Sequence, residues 1–349
     1  MGRASIDDYT HRRAGHCGSG AFRDLLEFHR LSYSSEPLSE GMVFGLSGGM
    51  GFHFFELPEL DPPIYLVGRT ADLERSLCLH LDIDLDLRQG DDPGEGWRWL
   101  RDALDRGAPT MVWADIKHLD YLRVRMHNTM HDIVVTGYDE EAGLAFVADN
   151  DRDRIESCSL ESLAQARNSK AFPGPNRHAT WLMDFPETLP DLPGAVALAL
   201  RSAVANMRDA GQPIGGPNGA GGLDGVDAFA ASYPTWPELF GSRLGAALKG
   251  LRIFIVKAGT GGAMFRSLQG RFLLEAGELL EDRQLIILGG LYTSLSAAWE
   301  RLGESAADDD PRSGLELGLP QVHQIARLER RGVEAMERWL GSDDEHSRW

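Results

Sequence analysis

The sequence predicts an α+β domain over residues 10–187 followed by an all-helical domain over 188–341. Three observations carry that fold class. In the segments PTMVWAD, HDIVVTGYD, LAFVADN and HATWLMDF the pattern changes to that of strands. From about residue 195 to the end the apolar period becomes helical. Between the two regimes Pro186, Pro190 and Pro193 punctuate a linker. No internal repeat is present.

Taken in order, Phe22, Leu25, Leu26 and His29 recur at helical spacing, so a helix begins just after Cys17. In LSEGMVFGLSGGMGFHFF, Ser39 caps a short helix that Gly48, Gly49 and Gly51 break. Residues 69–82 and 94–106 read as amphipathic helices, the second closed by Gly107. The four strands follow, with a hairpin turn between Asp139 and Gly143. Beyond the linker, helices are expected at about 195–210, 236–249, 262–282, 284–303 and 320–340. GQPIGGPNGAGG and GESAADDDPRSG interrupt them.

A chain of 349 residues with 42% hydrophobic and 25% charged residues is a folded protein with room for two domains. Its net charge of -18, with no basic stretch, argues against nucleic acid and anionic membranes as partners. No apolar run spans a bilayer, and the N-terminus has neither a signal-type apolar stretch nor a myristoylation pattern, since Ile6 stands where Ser or Thr is needed. Three cysteines without motif spacing suggest a reducing compartment rather than a disulfide framework, so a cytoplasmic location is expected. The histidines form no HExxH motif, so no metal site is expected. The sequence leaves a homo-oligomer open.

Cys17 lies in HCGSG at a helix start, where unpaired N–H groups and the helix dipole favour a thiolate. A buried, inert cysteine is the plainer reading of the residue alone. His131 opens the strand HDIVVTGYD. If Tyr138 pairs with Leu144 in the following hairpin, His131 faces Asp151, and Asp149 is its diagonal neighbour on the same sheet face. Either carboxylate could serve the imidazole, and a one-residue slip would bring Asn150 there instead. A Cys–His–acid set is a recurring device for a thiol nucleophile: the base takes the proton and the acid fixes the ring.

HCGSGAFRDLL, LSEGMVFGLSGG, HDIVVTGYD and VADN, in that order, resemble the N-terminal domain of the butirosin biosynthesis protein H family, over about residues 10–185. GGLDGVDAFA and AGTGGAMFRSLQGRFLLEAG are similar to the helical domain of unknown function that commonly follows it, over about 195–340. The resemblance implies a papain-like cysteine-peptidase fold, with Cys17 as nucleophile, His131 as base and Asp149 as orienting acid. It further implies transfer of an acyl group from an acyl-carrier-protein thioester onto an amine, forming an amide. Papain-like enzymes usually place a glutamine about six residues before the cysteine. Here His11 stands there, beside Arg12 and Arg13, with His16 next to the nucleophile. The expected oxyanion donors are therefore the Cys17 N–H and one of these side chains. Asp132 should alternate to the opposite face from His131.

Two further stretches carry paired readings. Glu40 could hold an amine beside the thioester, or simply be a first-turn acid after a capping serine. Gly259, Thr260, Gly261 and Gly262, with Arg266 nearby, could present N–H groups to the phosphate of a phosphopantetheine arm, or serve a turn or close packing. The expectation is an acyltransferase of a biosynthetic pathway with no cofactor of its own, the arm arriving with the donor. A cysteine hydrolase (peptidase or thioesterase) using the same three residues is the alternative, and a non-catalytic binding module the second.

Overall fold

The computed structural model describes residues 2–211, 219–257 and 261–346, side chains of 342–346 excepted. Its elements in chain order are β1 (Arg3–Ser5), α1 (Cys17–Phe28), α2 (Glu40–Leu46), β2 (Met50–Glu56), β3 (Ile64–Arg69), α3 (Leu73–His80), β4 (Asp84–Arg88), α4 (Pro93–Leu104) and β5 (Thr110–Ala114). There follow β6 (His131–Asp139), β7 (Leu144–Ala148), β8 (Glu156–Ser159), α5 (Leu160–Asn168), β9 (Thr180–Asp184), α6 (Leu192–Arg208), β10 (Gly219–Gly221) and α7 (Gly222–Ser232). The chain ends with α8 (Trp236–Phe240), α9 (Leu244–Arg252), α10 (Arg266–Leu279), α11 (Arg283–Ser305) and α12 (Pro311–His346).

These elements form two compact units, Met1–Glu40 with Asp82–Leu189, and Gly41–Leu81 with Pro190–Trp349. The division differs from a single cut at residue 187. Residues 41–81, expected in the first domain, belong to the second unit, and that unit is not all helical. It holds an antiparallel sheet in the order β10-β2-β3. The reason lies in β2. Its residues Met50 to Phe55 are buried on both faces, so no alternation marks it as a strand. The apolar partners come from far along the chain: Phe52 packs against Phe229 and Trp299, and Phe54 against Phe229. The helix expected over 69–82 correspondingly begins only at Leu73, after β3.

In the same unit, α11 packs against both α10 and α12. Arg266 lies at their centre, fully buried, with Nε 2.7 Å from Glu329 Oε1. The helix expected over 236–249 is divided at Gly241, which has φ 51°, and α12 starts earlier than expected, running through Pro320. The glycine-rich interruption at 212–218 lies outside the described residues.

The first unit is built on a seven-stranded antiparallel sheet in the order β4-β9-β5-β6-β7-β8, with β1 also on β6. The first half of β6 pairs with β5 from Ala114↔His131 to Thr110↔Val135. Its last residues pair with β1, Ser5 opposite Gly137. A Cβ on Gly137 would meet Ala4 O at 2.5 Å, so the close approach of β1 requires glycine there.

The β6–β7 hairpin does not start in the expected register. Tyr138 pairs with Ala145 and Asp139 with Leu144. A bulge between Val135 and Gly137 absorbs one residue, after which Val135↔Val147 and Val134↔Ala148 follow the expected pairing. Near the turn, Asp139 Oδ1 accepts the N–H groups of Glu141 and Ala142, and Gly143 takes φ 69°.

Candidate active site around Cys17

Cys17 is the first residue of α1, and His16 is its N-cap, the imidazole Nδ1 accepting the Ser19 N–H at 3.2 Å. The small residues of HCGSG let the helix start press against the preceding segment: a Cβ on Gly20 would lie 2.4 Å from Ala14 Cβ. That preceding segment is tied to the loop after β7. Ala14 N donates to Asn150 O at 3.0 Å, and Asn150 Nδ2 donates to Ala14 O at 3.2 Å. His11 reinforces the tie, with Nδ1 2.7 Å from Asp24 Oδ2 and Nε2 3.1 Å from Asp149 O. Arg23 completes it, paired to Asp24 and donating to the carbonyls of Arg12 and Arg13.

The acid and base meet as the restored register allows. His131 Nε2 lies 3.1 Å from Asp149 Oδ1, the carboxylate being fully buried. Asp149 also accepts the Tyr121 hydroxyl at 2.8 Å on Oδ2 and the Asp151 N–H at 3.2 Å on Oδ1. Asp151, the alternative acid, points its own side chain to Arg152 and is exposed. With Nε2 committed to Asp149, the other ring nitrogen of His131 remains for the sulfur.

The electrostatics follow from these contacts. Burial alone would raise the Cys17 thiol, but His16 and the hydrogen bond to His131 outweigh it and hold the thiol well below its ordinary value. Burial alone would lower His131, but the Asp149 charge and hydrogen bond, with Cys17, hold it well above. Burial likewise opposes, and His131 and Tyr121 reverse, the shift of Asp149, whose carboxyl is lowered. Each shift favours the charged form, thiolate at Cys17 and imidazolium at His131. The other two cysteines are buried and pushed up to about 12, burial being the main cause.

Asp132 is not the bystander that strand alternation suggested. The α1 start covers the β6 face that carries Asp132 and Val134. The Cys17 sulfur consequently lies 3.7 Å from Asp132 Oδ2, a buried carboxylate, while His131 reaches it from the strand's end.

The remaining sequence candidates divide. His11 is spent on Asp24 and on carbonyls, so it is no oxyanion donor; the backbone N–H of Cys17, in the first helical turn, needs no intrahelical partner. Glu40 accepts from Gly15 N, His16 N and Ser19 Oγ at 2.9, 2.9 and 3.1 Å. It clamps the chain around the nucleophile rather than offering a carboxylate to an amine. Gly261 and Gly262 have φ 61° and 79°, and their carbonyls accept from Ser267 Oγ, a turn before α10. Gly259 and Thr260 lie outside the described residues. Arg266 is occupied by Glu329 and by the carbonyls of Gly68 and Met264, so it presents nothing to a phosphate.

Sequence reasoning missed Tyr121, which sits in an aperiodic loop that gives no signal. It also missed a cluster in that loop. Ligand-capable atoms of Asp115, His118 and His127 lie within 4.8 Å of one another, where the sequence reading expected no metal site. Asp115 collects His127 Nδ1 at 2.6 Å, Ser169 Oγ at 2.6 Å and the N–H groups of Lys117 and Asn128. Lys117 Nζ sits 2.9 Å from His127 Nε2. A cation here would face that ammonium, and the contacts already satisfy Asp115. The cluster organises the loop that leads into His131.

An antiparallel sheet with a helix-borne thiol, a strand-borne histidine and a buried acid defines a protein with a cysteine–histidine–aspartate constellation. Residues 16–150 match the family described as butirosin biosynthesis protein H, N-terminal, and residues 161–336 match a domain of unknown function (DUF4872). The chain belongs to the family in which the second domain follows the first. No curated protein matches it.

Proposed function

We propose that this protein is a biosynthetic acyltransferase that carries its acyl group as a thioester on Cys17 and passes it to an amine. The observation that supports this best is His131 held 3.1 Å from the buried Asp149 carboxylate, with His131 among the groups that lower the Cys17 thiol. The Cys17 thiolate attacks the donor thioester carbonyl, and the departing thiol takes the proton of the His131 imidazolium. The amine then attacks the acyl-enzyme, His131 accepts its proton, and the Cys17 thiolate leaves as the amide forms. Thioester exchange is nearly isoenergetic and aminolysis of a thioester is downhill, so the sequence needs no nucleotide. Asp149 stabilises the imidazolium in both half-reactions. The matched family is named for butirosin biosynthesis, which supports a biosynthetic role.

The donor fitting this scheme is an acyl thioester on a carrier protein, its phosphopantetheine arm bringing the sulfur. The acceptor is an amine. A net charge of -18 attracts a cationic polyamine and repels an acidic carrier. Acceptor capture should weaken with salt, while donor docking holds or improves. Among the described residues no helix is long and apolar enough to cross a membrane.

Intact-mass analysis after incubation with acyl-N-acetylcysteamine thioesters and acyl-carrier proteins tests the proposal. The expected result is an adduct on Cys17 that Cys17→Ala abolishes, that persists in buffer, and that a polyamine discharges to an amide. Rapid release of free acid without amine would make the protein a hydrolase. Tight carrier binding with no adduct on Cys17 would make it a binding module.

A further inference from the structure

A second cavity lies in the first unit, and none of its lining residues lines the crevice at Cys17. It measures about 210 Å³, with Trp97 of α4 and Leu160, Leu163 and Ala164 of α5 on its apolar walls. Arg167 and His178 supply its polar lining.

Arg167 is buried at 2% exposure and has no carboxylate within salt-bridge distance among the described residues. The other deeply buried guanidinium groups differ: Arg23 has Asp24, and Arg266 has Glu329. All three Arg167 hydrogen bonds leave from Nη2, to Gly96 O, His178 O and Thr180 Oγ1. Its Nε is buried without a partner, and so is Nε2 of His178. Burial of a guanidinium without a countercharge is unfavourable, and proteins ordinarily compensate it with an acid. Burial here lowers Arg167 to about 9 and, with Arg167's own charge assisting, His178 to about 4, so the arginine alone supplies positive charge at neutral pH. An apolar recess ending in a few convergent polar groups is the usual form of a small-molecule site.

We propose that this cavity binds a small organic monoanion, a carboxylate on an apolar body, with the carboxylate accepting from the unused N–H groups of Arg167 and from His178. The apolar body lies against Trp97, Leu160 and Leu163. Charge-assisted hydrogen bonding to a guanidinium selects carboxylate over a neutral isostere. The site is independent of chemistry at Cys17.

Isothermal titration of the full chain with benzoate and with benzamide, its neutral isostere, tests the assignment. The expected result is benzoate binding at least tenfold tighter than benzamide, with inorganic phosphate failing to compete. Arg167→Gln should abolish the preference. Because Arg167 also ties α4, α5 and β9 together, that variant could unfold, and Ala164→Trp provides a second arm. It fills the cavity and leaves Arg167 in place, and it should remove benzoate binding while circular dichroism stays unchanged. Equal affinity for benzoate and benzamide, competition by phosphate, no benzoate binding by the folded wild type, or undiminished binding by folded Ala164→Trp would each overturn the proposal.

Discussion

Replacing Asp149 by asparagine should reduce the reactivity of Cys17 by two to three orders of magnitude without unfolding the chain. Three donors converge on this carboxylate: His131 Nε2 and Asp151 N on Oδ1, and the Tyr121 hydroxyl on Oδ2. The Asp151 N–H can only donate, whereas a hydroxyl can donate or accept. The new amide should therefore turn its oxygen to His131 and Asp151 and its NH2 to Tyr121. His131 keeps its orientation and tautomer, and what disappears is the negative charge. At an effective dielectric near 20, a unit charge about 4 Å from an imidazolium contributes about 4 kcal/mol, equivalent to about three pKa units. His131 is held well above its ordinary value chiefly by Asp149, so the substitution returns it toward that value, and the Cys17 thiolate loses its cation. The assay needs no substrate: iodoacetamide alkylation is followed by peptide mass from pH 4 to 10. In the wild type Cys17 should react at pH 7 while Cys78 and Cys158, pushed up to about 12, do not. In Asp149→Asn the rate at pH 6 should fall about 10²- to 10³-fold and the acid limb should move upward. A rate within twofold of wild type would refute the reasoning, as would equal labelling of the three cysteines in the folded wild type.

Three further outcomes follow from the same contacts. Glu40→Gln leaves one oxygen to face three donors, and should cost about 1–2 kcal/mol in urea unfolding and slow Cys17 alkylation; an unchanged midpoint and rate would count against the clamp. Asp115 is held down to about 2, its burial opposed by the hydrogen bonds from His127 and Ser169. A depressed acid stabilises the fold above its unfolded value near 3.8 and loses that contribution as pH falls toward 2, so Asp115→Asn should remove at most about 2 kcal/mol at pH 7 and flatten the acid limb of stability. Arg266→Met strands the buried Glu329 carboxylate and should destabilise the chain by about 3–5 kcal/mol, whereas Arg266→Met with Glu329→Leu should recover most of that loss.

The sequence by itself determined the parts whose signals are local. Runs of strand-forming residues marked β5, β6, β7 and β9, although β5 and β6 prove buried along almost their whole length. HCGSG announced a helix start with a thiol at its first position, and motif order identified the family. The pairing of His131 with an acid was legible as a sheet-face argument, although Tyr138 proved to face Ala145 and only the bulge before Gly137 restored the expected register. Which acid it is, Asp149 or Asp151, was decided by the loop after β7, where backbone ties to Ala14 and His11 turn one carboxylate inward and leave the other in water. The same non-local packing put Asp132 beside the sulfur and spent Glu40 and Arg266 on internal partners. It also drew residues 41–81 into the second unit. β2 carries no alternation, and the aromatic side chains that Phe52 packs on, Phe229 and Trp299, lie well over a hundred residues away. Only tertiary structure brings such groups together, because the desolvation and hydrogen-bond demands of buried polar atoms are met across the fold rather than along the chain.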